Sequence, residues 1–100
     1  MTAVDIRFEL NGLLFVWDED KARRNLQKHR IYFEEATEAF FDPFFRLVDA
    51  SRSDEARDAV IGCDGLGRVL YVVHIEIEGE YIRIISARKA TREELSSHDS

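Results

Sequence analysis

Phe15-Val16-Trp17-Asp18-Glu19-Asp20-Lys21-Ala22-Arg23-Arg24-Asn25-Leu26-Gln27-Lys28-His29-Arg30-Ile31-Tyr32-Phe33-Glu34-Glu35-Ala36 is the stretch whose reading decides the fold. Phe15 and Trp17 alternate with Val16, as on a strand. Asp18 suits a helix N-cap, where a carboxylate accepts from the free first-turn amides. Glu19 and Asp20 follow where the helix dipole favours negative charge. From Lys21 to Arg30 the sign reverses, with Lys21, Arg23, Arg24, Lys28 and Arg30 and no acid among them. Ala22, Asn25, Leu26 and His29 share one helical stripe. Two members of that stripe are polar, so the helix is not simply amphipathic. The position of His29 on it predicts a buried, hydrogen-bonded imidazole anchoring the helix end.

Upstream, Ile6, Phe8 and Leu10 alternate over Asp5–Leu10, and Asn11-Gly12 separates them from Leu13–Trp17. Asn-Gly between strand-like runs predicts a hairpin, because a type I′ turn needs positive φ twice. Downstream, Phe33 to Phe41 reads as a second helix, stopped by Asp42-Pro43. Strands are expected over Phe44–Val48, Arg57–Cys63, Arg68–Ile77 and Tyr81–Ser86, with Asp49–Glu55 a polar loop. Val69, Leu70, Tyr71, Val72, Val73 and Ile75 form the nearly continuous apolar run of a central strand. Thr91-Arg92-Glu93-Glu94 has the form of a capping box opening a short last helix. The fold class is therefore α+β in a single domain, residues 1–100: an N-terminal hairpin, two helices, an antiparallel meander and a C-terminal helix.

Composition narrows the classes. Apolar residues make up 45% of the chain and aromatics 11%, as in a folded chain rather than a disordered one. Cys63 is the single cysteine, so no intramolecular disulfide framework exists and a reducing compartment is expected. The start is unlike a signal peptide and no apolar run approaches a membrane span, so a cytoplasmic protein with no membrane partner is expected. The net charge of −6 argues against a general nucleic-acid coat. The cations are nevertheless grouped, in Lys21–Arg30 and again in Arg83, Arg88, Lys89 and Arg92. If these groups meet in the fold they form a phosphate-binding groove; otherwise they are solvated faces.

No motif predicts a cofactor or a metal. His29, Cys63, His74 and His98 lack ligand spacing. Asp64-Gly65-Leu66-Gly67-Arg68 lacks the spacing of a phosphate loop. If the cations hold a phosphodiester, metal-free cleavage of it needs a base for the attacking hydroxyl, cations for the scissile phosphate and an acid for the leaving oxygen. Arg68, Arg83 and Arg88 on the sheet, with Lys28 from the first helix, are candidates for the cations, and His74 for the base or acid. A two-residue turn at Glu78-Gly79 sets His74 opposite Arg83, whereas a three-residue turn moves Arg83 to the other face. Ordinary cross-strand pairs of Arg68 and Arg83 with Glu76, Glu78 or Glu80 are the competing reading.

Trp17-Asp18, Lys21-Ala22, Asn25, Lys28-His29 and Phe33-Glu34-Glu35-Ala36 resemble the N-terminal signature of the BrnT family, toxins of a bacterial type II toxin–antitoxin system. Ile82-Arg83-Ile84-Ile85-Ser86-Ala87-Arg88-Lys89-Ala90-Thr91 resembles that family's C-terminal signature. The resemblance implies a RelE-like fold, with two helices on a small antiparallel sheet. It implies a metal-independent endoribonuclease that cleaves mRNA and inhibits translation. A ribbon-helix-helix antitoxin would neutralise it, and promoter DNA would be bound only through that antitoxin. Basic positions fitting the family pattern are Arg57, Arg68, Arg83 and Arg88. With His74, the last three are the expected catalytic set, while Lys28, Arg57 and Lys89 are expected to bind RNA. The family pattern has glycine where Arg30 stands. It also has a more basic, aromatic-bearing end than Arg92-Glu93-Glu94-Leu95-Ser96-Ser97-His98-Asp99-Ser100. The alternative is thus a catalytically weakened binding module of the same fold, acting as antitoxin partner and co-repressor.

Overall fold

A computed structural model describes residues 3–99. Strands β1 (Asp5–Leu10) and β2 (Leu13–Asp18) form the expected hairpin. Leu10 pairs with Leu13, and Asn11 and Gly12 take φ of 50° and 85°, the double positive φ of the predicted turn. Helix α1 (Glu19–His29) starts at Asp18, whose carboxylate accepts from the Lys21 amide at 2.9 Å. It stops at Arg30 in the left-handed conformation (φ 61°, ψ 32°), whose N–H donates to Leu26 O at 2.9 Å. The left-handed stop therefore forms with arginine where glycine was expected. A side chain there costs roughly 1–2 kcal/mol.

Helix α2 (Phe33–Glu38) is shorter than predicted, its last turn tightening into a 3-10 turn over Ala39–Phe41. Glu35 accepts from the Tyr32 amide at 3.0 Å across the first turn. The tightened turn presses its Ala39 carbonyl onto Gly62, where a Cβ would collide with that oxygen. Strands β3 (Arg46–Asp49), β4 (Asp58–Cys63), β5 (Val69–Ile77) and β6 (Tyr81–Lys89) follow, then helix α3 (Arg92–Asp99).

The six strands form one sheet in the order β1-β2-β6-β5-β4-β3. The expected all-antiparallel sheet is corrected to a mixed one. β2 and β6 run parallel, Phe15 beside Ile82 and Val16 beside Arg83; no tight turn joins them, since two helices and three strands intervene. The helices bury one face of the sheet. Trp17 meets Phe33 edge-on at 5.7 Å and Phe15 meets Phe40 at 5.2 Å, over Leu70, Val72, Ile84 and Ala87.

Two devices position the opposite face. A bulge in β6 makes Val73 pair with Ser86 but His74 with Ile84. The extra residue reverses the alternation, so Arg83 (opposite Ile75) and Arg88 (opposite Tyr71) lie on one side. The second device is Asn25, 7% exposed. Its amide donates to Ala87 O (2.9 Å) and Ile31 O (3.1 Å) and accepts from Ala87 N (3.0 Å). Beyond Val16, the last β2 residue in register with β6, Asn25 thus supplies the donor and acceptor of a neighbouring strand.

Candidate nucleic-acid interface

The open face and the end of α1 enclose a groove of about 590 Å³ lined by Lys28, His29, Arg52, Arg57, Tyr71 and Arg88, among others. A shallower hollow of about 300 Å³ carries Lys21, Arg24 and Asn25 and shares Lys28, His29, Ile85 and Ser86 with it. The two are therefore contiguous, and their charged side chains are cations. Asn25 fixes this arrangement by tying α1 to β6 one residue before Arg88.

Arg88 lies over the Tyr71 ring at 4.2 Å. Its guanidinium donates to both carboxylate oxygens of Glu94, at 2.8 and 3.1 Å. That bond holds the Arg88 pKa above, and the Glu94 pKa below, the ordinary value. Glu94 also accepts from the Thr91 amide at 2.8 Å, closing the predicted capping box of α3. Arg57 donates from Nε to Glu55 at 2.6 Å. Among the described residues Lys28 and Arg52 have no carboxylate in ion-pair reach.

His29 corrects one expectation. It is half-buried and lines the groove, and no hydrogen bond to its ring is made among the described residues. Burial, with Lys28 and Arg88 nearby, pushes its pKa below the usual histidine value and favours the neutral ring.

Of the residues singled out in the sequence, the groove gathers Lys28, Arg57 and Arg88. It leaves out Arg68, His74, Arg83 and Lys89. Arg68 points to the helix side, bonded to Asp64 at 2.6 and 2.8 Å and to Glu35 at 3.2 Å. His74, 3% exposed, stands edge-on to Phe40 at 4.8 Å with Nδ1 3.2 Å from Val72 O. Its burial lowers its pKa. Three residues, Glu78 to Glu80, connect β5 to β6, with Ile77 opposite Tyr81, so Arg83 and His74 lie on opposite faces. Arg83 is on the open face but is held by both carboxylate oxygens of Asp5 at 2.9 and 3.1 Å. Lys89 is exposed at the end of β6, opposite Leu70. The competing salt-bridge reading was right in kind for Arg68 and Arg83, though with other carboxylates than those it named.

The residues missed were His29, Arg52 and Tyr71. The His29 stripe was legible, but periodicity does not distinguish a core position from a groove rim. Arg52 sat in a loop with no period at all.

Residues 17–94 match the family described as "Ribonuclease toxin, BrnT, of type II toxin-antitoxin system". No curated protein matches the chain.

Proposed function

The chain belongs to the BrnT family of ribonuclease toxins of type II toxin–antitoxin systems, and from that premise we propose that it cleaves mRNA in the groove between α1 and the open sheet face. The observation that carries this reading is the convergence of Lys28, Arg52, Arg57 and Arg88 around a half-buried histidine held toward its neutral form.

In this reading His29 takes the proton of the ribose 2′-OH as that oxygen attacks phosphorus. The new O2′–P bond forms as the P–O5′ bond breaks, leaving a cyclic phosphate and a free 5′-oxygen. Lys28 donates the proton that oxygen needs. Arg88 does not suit that role, since a guanidinium holds its proton and Glu94 raises its pKa further. Arg57 and Arg88 hold the non-bridging oxygens, where charge grows in the transition state. All the charge stabilisation comes from side chains, so the reaction is proposed to need no metal.

Phosphate must displace Glu55 from Arg57 and Glu94 from Arg88. Both pairs stay partly open to solvent, and a phosphate offers arginine an equivalent bidentate partner. Lys28 and Arg52, unpaired among the described residues, give the first electrostatic hold. His74 and Arg68 move from the expected catalytic set to structural roles. Arg83 extends the basic surface of the open face, whereas Lys89, opposite the core residue Leu70, stands apart from it. The partner is a ribbon-helix-helix antitoxin through which alone promoter DNA is bound, the site of action is the cytoplasm, and the fold is of RelE-like type.

The second reading, a weakened binding module, is favoured by one fact: Arg57, Arg68, Arg83 and Arg88 each hold a carboxylate. Cleavage of end-labelled RNA in excess chelator, by the chain and by Lys28→Ala and Arg88→Ala variants, separates the two. The nuclease reading expects cyclic-phosphate ends and at least a tenfold fall in each variant. No cleavage by the unaltered chain, despite tight antitoxin binding, would establish the binding module.

A further inference from the structure

The two edges of the sheet differ in kind. Edge strand β1 presents Asp5, Arg7 and Glu9 at alternate exposed positions, the charges that keep an edge from pairing with another chain. Edge strand β3 is instead entered through a run of exposed apolar side chains. Phe44, Phe45 and Leu47 are 72%, 45% and 58% exposed within four consecutive residues, next to a strand bonded on one side only. Aromatic exposure of this density marks an interaction surface.

What covers it is constrained by three features. A free strand edge offers its backbone N–H and C=O groups in a row, which an extended segment satisfies best. Arg46, which strand alternation sets on the open face with Ile61 and Tyr71 while Leu47 shares the helix side with Val60, is exposed and has no carboxylate partner among the described residues, so the occupant should carry an acid at the alternate position that meets it. Finally, β3 runs directly into Ala50, Ser51 and Arg52, which line the cationic groove.

The geometry points to β3 as the docking edge for the antitoxin. An extended antitoxin segment pairs with β3, sets apolar side chains on Phe45 and Leu47, and brings a carboxylate to Arg46. It then crosses Ala50–Arg52 to place acidic side chains against Arg52 and Lys28. Existence of the partner follows from the family; its competition with RNA rests on the groove reading above. One peptide would then use an apolar anchor for affinity and an acidic end to block the groove.

The probe is the antitoxin encoded beside this chain's gene, co-expressed and purified as the complex. A Phe45→Ser/Leu47→Lys double variant should lose at least tenfold in antitoxin affinity. RNA cleavage by the free toxin should be unchanged, since neither residue lines the groove, and an unchanged melting temperature confirms its fold. In the wild-type complex, outward amides of β3 should gain hydrogen-exchange protection. Undiminished affinity in the double variant would overturn the proposal, as would protection at β1 with β3 unchanged. So would self-association of the free toxin that the double variant abolishes, which would assign the edge to a second copy. Failure of RNA cleavage in every form would defeat the groove reading but leave the affinity and exchange results standing.

Discussion

His74 and His29 serve two sides of one sheet, and their surroundings differ in what they leave available. Both are pushed below the ordinary histidine pKa chiefly by burial. His74 achieves this under the helices, against Phe40, with its Nδ1 at a backbone carbonyl. His29 achieves it at the rim of a groove, with cations beside it and no hydrogen bond to its ring among the described residues. A lowered pKa alone therefore does not mark a reactive group; access and neighbours do.

The largest effect that tests this division belongs to the covered face. Trp17 is buried between Phe8 and Phe33, so Trp17→Ala should destabilise the fold by about 4 kcal/mol. Urea unfolding measures it. A loss below about 1 kcal/mol would show that this face is not where the packing energy resides.

His29→Ala comes next and should act on activity rather than stability. Removing a general base typically costs 10²-fold or more in kcat, about 2.7 kcal/mol. Unfolding free energy should move by less than about 0.5 kcal/mol. A variant with full kcat would return the base to some other group. The unaltered enzyme should gain activity as pH rises through a value below 6.5, the ordinary histidine value, because only the neutral ring accepts the proton.

How much of this was legible in the sequence depended on how local the cause was. The Asn11-Gly12 turn, the Asp18 cap and the Thr91/Glu94 box appeared as read, because each is set by residues within a few positions. The parallel pairing of β2 with β6 was not legible, since no period reports which strands meet after two helices. The site depended on the β5–β6 connection and the β6 bulge. One extra loop residue separated Arg83 from His74, and one extra strand residue returned Arg88 to the face of Arg83. Alternation along Ile82–Lys89 could not reveal a bulge, because Ile84, Ile85 and Ala87 are all apolar. Asn25 showed only as a polar misfit on an inward stripe; its pairing with Ala87 lies 62 residues away.

A smaller effect sharpens the contrast on the covered face. The folded-state pKa of His74 lies below its unfolded value, near 6.5. As pH falls below that value the unfolded chain binds a proton first, so stability is lost on acidification and is fully present above it. His74→Leu should flatten the loss just below pH 6.5. It should leave the later decline, as Glu94 and Asp42 lose their depressed ionisation at lower pH, in place. Urea midpoints across this range test it, and an unchanged slope would show that His74 is not held neutral. The same substitution should leave the activity profile assigned to His29 in place.

The smallest expected effect probes the carboxylate that holds Arg88 beside the groove. Glu94 does two things: it caps α3 through the Thr91 amide and it neutralises Arg88. Glutamine retains the capping geometry but removes the charge, so Glu94→Gln separates the two roles. If Glu94 stands in for phosphate on Arg88, the variant should bind a non-cleavable RNA analogue about two- to fivefold more tightly, as expected when one competing carboxylate charge is removed from a bidentate site. The gain should shrink as salt is raised, because added ions screen the carboxylate and the phosphate alike. Weaker binding would mean that Glu94 orients Arg88 for RNA rather than competing with it, and the guanidinium would then be a preset anchor instead of one released by the substrate.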